Sequence, residues 1–156
     1  MSYYTSITIA ETVRDAIAAF SDLNAWSQTT FGSLPTIYLG VDEDQPAPES
    51  DYPIVGLVNV RRMGALTSNA ITWEIDLGCA VLNTELATAG TTKTYTGLLQ
   101  ANYLTELVEQ ALLQSRLFRT IEFNGESGAI VDFPAFVAYS TLTLGLHASS
   151  RSPRFR

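Results

Sequence analysis

The sequence predicts an α+β fold in which a mainly antiparallel sheet carries two amphipathic helices on one face. Two long stretches alternate apolar with polar residues, and each predicts a long strand with one buried face, because side chains in a strand project with a period of two. Between them, residues 97–115 repeat leucine at spacings of three and four, which predicts a helix. The predicted buried faces comprise Ile71, Trp73, Ile75, Leu77, Cys79 and Val81 in the first stretch, and Phe136, Ala138, Ser140, Leu142, Leu144 and Leu146 in the second.

The first predicted element is a helix near the amino-terminal end. Thr8 and Glu11 form a capping-box pair, in which each side chain satisfies a free backbone N–H at a helix start. An apolar stripe at helical spacing runs from Ile9 to Phe20, and the helix is expected to fade over residues 22–26. This part of the chain therefore predicts a single helix.

Strands and loops are predicted next. A short strand over 36–41 precedes residues 42–53, which carry five acids and three prolines. Such a segment cannot bury enough apolar surface to order itself, so a mobile loop is expected. Residues 54–63 predict a strand, and residues 64–69 predict the hairpin connection to the first long strand. After that strand, the small residues of 87–93 predict a loop.

The last predicted elements form a hairpin. Residues 118–123 predict a strand, and Asn124-Gly125 supplies the positive φ angles that a tight hairpin turn needs. The return strand is expected from about residue 129 to residue 147, with an interruption at Pro134. The predicted order is therefore α-β-β-β-α-β-β.

Length and composition predict one α+β domain over residues 1–147 and a flexible, basic tail over residues 148–156. The charged fraction is 16%, below the roughly 25% typical of globular domains. This shortfall suggests that partners cover some of the polar, uncharged surface.

Charge is distributed unevenly along the chain. The formal net charge is −7, and the tail holds three of the nine basic residues, so the sixteen acids of residues 1–150 face only six bases. Nucleic-acid affinity depends largely on the release of counterions by lysine and arginine. Direct, sequence-specific DNA binding is therefore not expected.

No catalytic or metal-binding pattern is present in the sequence, so we expect neither an enzyme nor a cofactor. The one cysteine, Cys79, is in phase with buried residues and predicts an inert thiol, and a pairing with His147 has nothing to support it. Ser140 predicts a packed hydroxyl bonded to a backbone group. The two glycine-rich phosphate-binding motifs, GxGxxG and GxxxxGK followed by serine or threonine, do not occur in the sequence. The acids of residues 42–51 lack the spacing of a calcium loop and predict a solvated loop.

Targeting signals are also lacking in the sequence. The first residues have no basic stretch followed by an apolar one, as a signal peptide would. No apolar run is long enough to predict a membrane span. With its single cysteine, the chain suits folding in a reducing cytoplasm.

The order and texture of the segments resemble the tail terminator proteins of long-tailed bacteriophages, also called tail-to-head joining or tail completion proteins. The resemblance covers about residues 5–147. It rests on the amphipathic segment ITIAETVRDAIAAF, the acidic loop with prolines, the segment DYPIVGLVNVRR, the long strand ITWEIDLGCAVLN, the helix GLLQANYLTELVEQALL and the closing hairpin.

The resemblance implies a structural protein of the virion neck, assembled in the host cytoplasm as a homo-hexameric ring. Such a ring caps the head-proximal end of the tail tube, stops polymerisation of the tube protein, and meets a head-completion or connector protein. DNA passes through its lumen. Two alternatives stay open: another head–tail connector or minor tail protein, and, from other classes, a small-molecule-binding α+β module or an adaptor of a host complex.

Within a ring, charge suggests which residues face the channel and which face a neighbour. Acidic side chains repel DNA phosphates, whereas arginines pair with acids at contacts. The expected lumen-facing acids are Asp42, Glu43, Asp44, Glu74 and Asp76, and the expected interface residues are Arg61, Arg62, Arg151, Arg154 and Arg156.

Overall fold

A computed structural model describes residues 4–42, 44–64 and 71–146 and confirms the predicted α+β class. A five-stranded, mainly antiparallel sheet has the strand order β1-β2-β3-β7-β6, and β4 and β5 form a separate two-stranded hairpin. The elements are α1 (Ser6–Ala18), α2 (Ser21–Phe31), β1 (Thr36–Leu39), a single 3-10 turn (Glu49–Asp51), β2 (Ile54–Met63), β3 (Thr72–Leu82), β4 (Leu86–Ala89), β5 (Thr92–Tyr95), α3 (Thr96–Ser115), β6 (Phe118–Asp132) and β7 (Ala135–Leu146).

The helices cover one face of the sheet, as the alternation predicts. On β3, Trp73, Ile75 and Leu77 are buried, whereas Thr72, Glu74 and Asp76 on the opposite face are half-buried. The buried residues of all three helices join those of β3 and β7 in one hydrophobic core. The predicted buried faces of both long strands are confirmed, except that Ile71 is only half-buried.

The first helix begins earlier than the sequence predicts. Its N-cap is Thr5, whose hydroxyl accepts a hydrogen bond from the backbone N–H of Thr8 at 3.2 Å. The Thr8 hydroxyl in turn accepts from the backbone N–H of Thr5 at 2.7 Å. The capping box predicted from Thr8 and Glu11 is therefore wrong, because a threonine at the third helical position replaces the usual glutamate.

A second helix, α2, stands where the first was expected to fade. After a break at Ala19 and Phe20, the chain resumes a helix that ends at Gly32 in the left-handed conformation. Its apolar stripe is narrow: Leu23 is buried, and the other buried position is Ser27, whose hydroxyl donates to the backbone carbonyl of Ser33 at 2.6 Å. Packing on α3, rather than local periodicity, stabilises this helix.

The closing hairpin turns later than the sequence predicts. The strand β6 continues through Asn124 and Gly125 to Asp132, and the turn to β7 lies at Phe133 and Pro134. The Asn-Gly pair instead occupies a shift in register, where Gly125 has a φ of 136°. Because a bulge also uses a positive φ, the same dipeptide suits either structure.

Two more segments correct or extend the predicted order. Residues 87–93 do not form a loop but contribute to the β4–β5 hairpin. Strand β2 has the predicted bounds, and the antiparallel pairing of Met63 with Thr72 agrees with a hairpin connection. Most of that connection (residues 65–70) and the tail over 148–156 lie outside the described residues. The mobility expected for residues 42–53 stays a prediction.

Trp73 tests the assignment of the two sheet faces. Its side chain is 1% exposed, so Trp73→Ala should lower the free energy of unfolding by about 3–5 kcal/mol, since it removes buried apolar surface and leaves a cavity. Denaturant titration of the purified protein measures the change. Tyr139→Ala is the matched control: this aromatic on the opposite face is 47% exposed and should cost about 1 kcal/mol or less. A cost below about 1 kcal/mol for Trp73→Ala would contradict the face assignment.

Candidate interaction surfaces

The sheet face opposite the helices, called the open face below, carries the polar half of the alternation. In the ladder between β2 and β3, Arg61 lies opposite Glu74 and Asn59 lies opposite Asp76. Thr141 and Thr143 of β7 continue the same rows. The open face therefore combines charged and hydroxyl side chains on a rigid strand framework.

An ion pair joins Arg61 and Glu74 on the open face. The Arg61 side chain is 54% exposed and the Glu74 side chain 22% exposed. Next to them, the Thr141 hydroxyl donates to the carboxylate of Asp76 at 2.9 Å. Arg61, a predicted interface residue, and Glu74, a predicted lumen residue, thus lie in the same patch. The arginine offsets the negative charge of Glu74. Among the residues that the structure describes, the partner of Asp76 is a hydroxyl rather than a cation.

Arginines collect at one end of the sheet. Arg62 donates its Nε–H to the backbone carbonyl of Gly64 at 3.0 Å. Strand β6 begins at the same end of the sheet, where Phe118 pairs with Leu146. Arg116 and Arg119 therefore lie at this end too. This second pair is distant along the chain from Arg61 and Arg62, and only the pairing of the strands places all four at the same end of the sheet.

Strand β7 ends at this basic end of the sheet, at Leu146, and the segment predicted as a tail follows it in the sequence. Its three predicted interface residues, Arg151, Arg154 and Arg156, lie outside the described residues. Their assignment to an interface stays a prediction, as does that of Arg61 and Arg62.

The acidic segment of residues 40–51 contacts the sheet at two points, near Val41 and at Asp51. A methyl carbon of Val41 lies 3.0 Å from the position that a β-carbon at Gly56 would occupy. The Tyr38 hydroxyl donates a hydrogen bond to the carboxylate of Asp51. This hydrogen bond, followed by burial, raises the pKa of Tyr38 above its ordinary value. The far end of the segment is therefore anchored to the sheet.

The remaining acids of this segment lie nearer β1. The carboxylate of Asp42 accepts from the backbone N–H of Asp44 at 3.0 Å, and both side chains are exposed. Glu43 lies outside the described residues. Among the described residues, no group of three or more histidine, cysteine or acidic side chains is arranged to hold a metal ion.

Ser140 is bonded differently from the prediction. Its hydroxyl donates to the Glu109 carboxylate of α3 at 3.1 Å, not to a backbone group. Ser140 is 3% exposed and Cys79 is fully buried, so both lie in the helix–sheet interface. The hydrogen bond from Ser140 to Glu109 links α3 to β7 in the core.

The β4–β5 hairpin, called the arm below, is a further candidate surface. Seven of the eight strand residues are exposed and Thr94 is half-buried. At the base of the arm, Tyr95 stacks with Phe133 and Phe136 at ring-centroid distances of 6.1 and 6.0 Å. The threonines of β5 and the glycine at position 90 were the sequence signal for a hairpin, which the small-residue interpretation overlooked.

Comparison with models of protein families and with curated proteins finds no match for this chain. In the part of the chain that the structure describes, no helix is long and apolar enough to cross a membrane.

Tyr38 provides a test of the anchored segment. Tyr38→Phe should speed hydrogen exchange at the backbone N–H groups of Asp51 and Tyr52, which belong to the 3-10 turn, because the turn loses its bond to β1. Only the protonated phenol donates this bond. Its contribution is therefore present below the ordinary tyrosine pKa of about 10 and lost as pH rises through the raised value. Tyr103→Phe, at a tyrosine of α3 that is 42% exposed, is the control and should leave these rates unchanged.

A charge swap separates the two possible roles of Arg61, an ion pair within its own chain and a contact with a partner. Arg61→Glu places two carboxylates opposite each other and should cost up to about 1 kcal/mol of stability, the range of surface ion pairs. Adding Glu74→Arg restores an ion pair, so the melting temperature should recover. If Arg61 also contacts a partner, the double variant should still assemble poorly in analytical ultracentrifugation. Recovery of both stability and assembly would show that Arg61 acts only within its own chain.

Proposed function

We propose that this protein is a structural subunit of a bacteriophage neck, which forms a ring on the head-proximal end of the tail tube, stops tube growth and joins the tail to the head connector. The observation that carries the proposal is the open face. A sheet sealed by helices on one side presents strands of ten to twelve residues on the other, with polar side chains held in register. Such a surface suits a wall or a subunit contact.

Electrostatics support a channel through which DNA passes without binding. The chain is acidic overall, with a net charge of −7. On the open face, Asp76 is bonded to a neutral hydroxyl, and Glu122 of β6 is exposed in the row of Thr143. Negative side chains that line a water-filled passage repel phosphates and lower the friction of passing DNA.

The two edges of the sheet support a head-to-tail contact between copies. One edge is β1, which has four residues and lies beside the acidic segment; the other is β6, which has fifteen. Unlike edges cannot form a self-complementary contact with each other. Contacts of this kind close into a ring when the rotation between subunits divides a full turn. The proposed ring is a homo-hexamer that contacts the tube protein and a head-completion or connector protein.

Electron microscopy of the purified protein, alone and mixed with tail tubes, tests this function. We expect six-fold rings, either free in solution or as an added layer at one end of each tube. Tubes incubated with an unrelated acidic protein of similar mass are the control. A protein that stays monomeric at high concentration and adds no density to tubes would contradict the proposal. A ligand-dependent rise in its melting temperature would then favour a small-molecule-binding module.

A further inference from the structure

The arm gains little stability from its own chain. Its strands contain four residues each, and their side chains are almost entirely exposed. An isolated two-stranded hairpin is at best marginally stable in water. Within the described residues each arm strand pairs only with the other, so the outer edges of the arm are free to pair with a further strand.

The base of the arm is held firmly, which fixes its direction. The backbone N–H of Thr96 donates to the carbonyl of Glu85 at 3.3 Å, which closes the hairpin at its root. The amide of Asn83 donates to the side chain of Gln100 on α3 at 2.8 Å. A projection that is fixed at its base loses less entropy on docking than a free loop does.

The outer edge of β6 offers the backbone groups that such an arm needs. Within the described residues, β6 pairs with β7 alone, so one side of this fifteen-residue strand has unpaired N–H and C=O groups. Unpaired strand edges are templates for pairing with another chain. The opposite sheet edge, β1, is only four residues long.

Length and charge also match between the arm and β6. Shifts in register divide β6, and Glu126–Ile130 forms a regular stretch of the ladder with β7 between two of them, close in length to an arm strand. The only charged residue within the two arm strands is Lys93, whereas β6 carries Glu122, Glu126 and Asp132 against the single base Arg119. Apart from Leu86, Lys93 and Tyr95, the arm strands contain only alanine and threonine, and threonine suits strand pairing.

We infer that the arm of one copy adds as a strand to the outer edge of β6 in the next copy, along residues 126–130, and so forms the contact between subunits. This inference rests on the proposed ring. The backbone hydrogen bonds supply the affinity of strand addition, and side-chain fit supplies its specificity.

Disulfide cross-linking tests the contact directly. Thr92→Cys combined with Ser127→Cys should give covalent chains of up to six subunits under mild oxidation. The native Cys79 is buried, so the two introduced thiols are the accessible ones. Thr92→Cys with Thr143→Cys is the matched control, since Thr143 lies in a distant row of the sheet, and it should give no such ladder. Rings that form normally without cross-linking through residue 127 would overturn the inference and leave the proposed function standing.

Shortening the arm tests it independently. Replacement of residues 87–94 by Asn-Gly keeps the pairing of Leu86 with Tyr95 and a tight turn, and should leave the melting temperature of the monomer unchanged. The concentration needed for assembly should rise at least tenfold. Unchanged assembly would overturn the inference.

A charge reversal refines the test. Lys93→Glu should weaken assembly, and adding Glu126→Lys should restore it. Failure of the second change to restore assembly would argue against this register. Cross-linked dimers that never grow further would support the contact and count against the ring.

Discussion

The packing of α3 across β3 and β7 is the constraint on which the rest of the structure depends. At the start of α3, a β-carbon on Gly97 would lie 2.4 Å from the ring of Phe136, so only glycine allows the helix to approach this closely. Further along, Leu104 and Leu112 are fully buried, and they belong to the same hydrophobic core as Trp73. One helix layer thereby seals one face of the sheet, and the polar face beyond the contact of Val41 with Gly56 is left for other contacts.

Sealing a single face also determines how charge is arranged. Each residue of the open face stands next to its register partner, so the sign of a patch depends on the pairing of strands. The ladder pairs Arg61 with Glu74, so the residue predicted for an interface and the residue predicted for a channel neutralise each other on the same face. In the proposed ring, the acidity of a channel lined by this face would depend on side chains with neutral partners, of which Asp76 is the clearest.

The long strands and α3 could be predicted from the sequence because burial imposes their periodicity directly. Helix α2 could not, since a buried serine interrupts its stripe and its stability comes from Trp26, which packs edge-on against Tyr103 of α3 at 5.1 Å. The hairpin turn was wrongly predicted at Asn124-Gly125 for another reason. A hairpin turn and a bulge both use a positive φ, and only the pairing of the strand decides between them.

The candidate surfaces were less predictable than the fold. The acids Glu74 and Asp76 could be assigned to the open face from the alternation of β3 alone. Their partners could not, because the register between β2 and β3 shifts after Leu57 and changes which residues of β2 face the charges of β3. The arm was missed because its residues have no buried face to give a pattern, which is the property that makes it available to a partner.

The irregularity of β6 bears on which contacts its edge permits. A long, straight edge would invite two copies of β6 to pair with each other around a two-fold axis. The shifts in register break up that edge, and such a pairing would bring the acids of two identical, predominantly acidic strands together. A short regular stretch can still pair with a short strand. The bulges therefore disfavour a symmetric β6–β6 dimer more strongly than they disfavour pairing with the arm, whose strands have four residues and a single positive charge. A sheet edge that disfavours its own copy favours a head-to-tail contact, the kind that a closed ring requires.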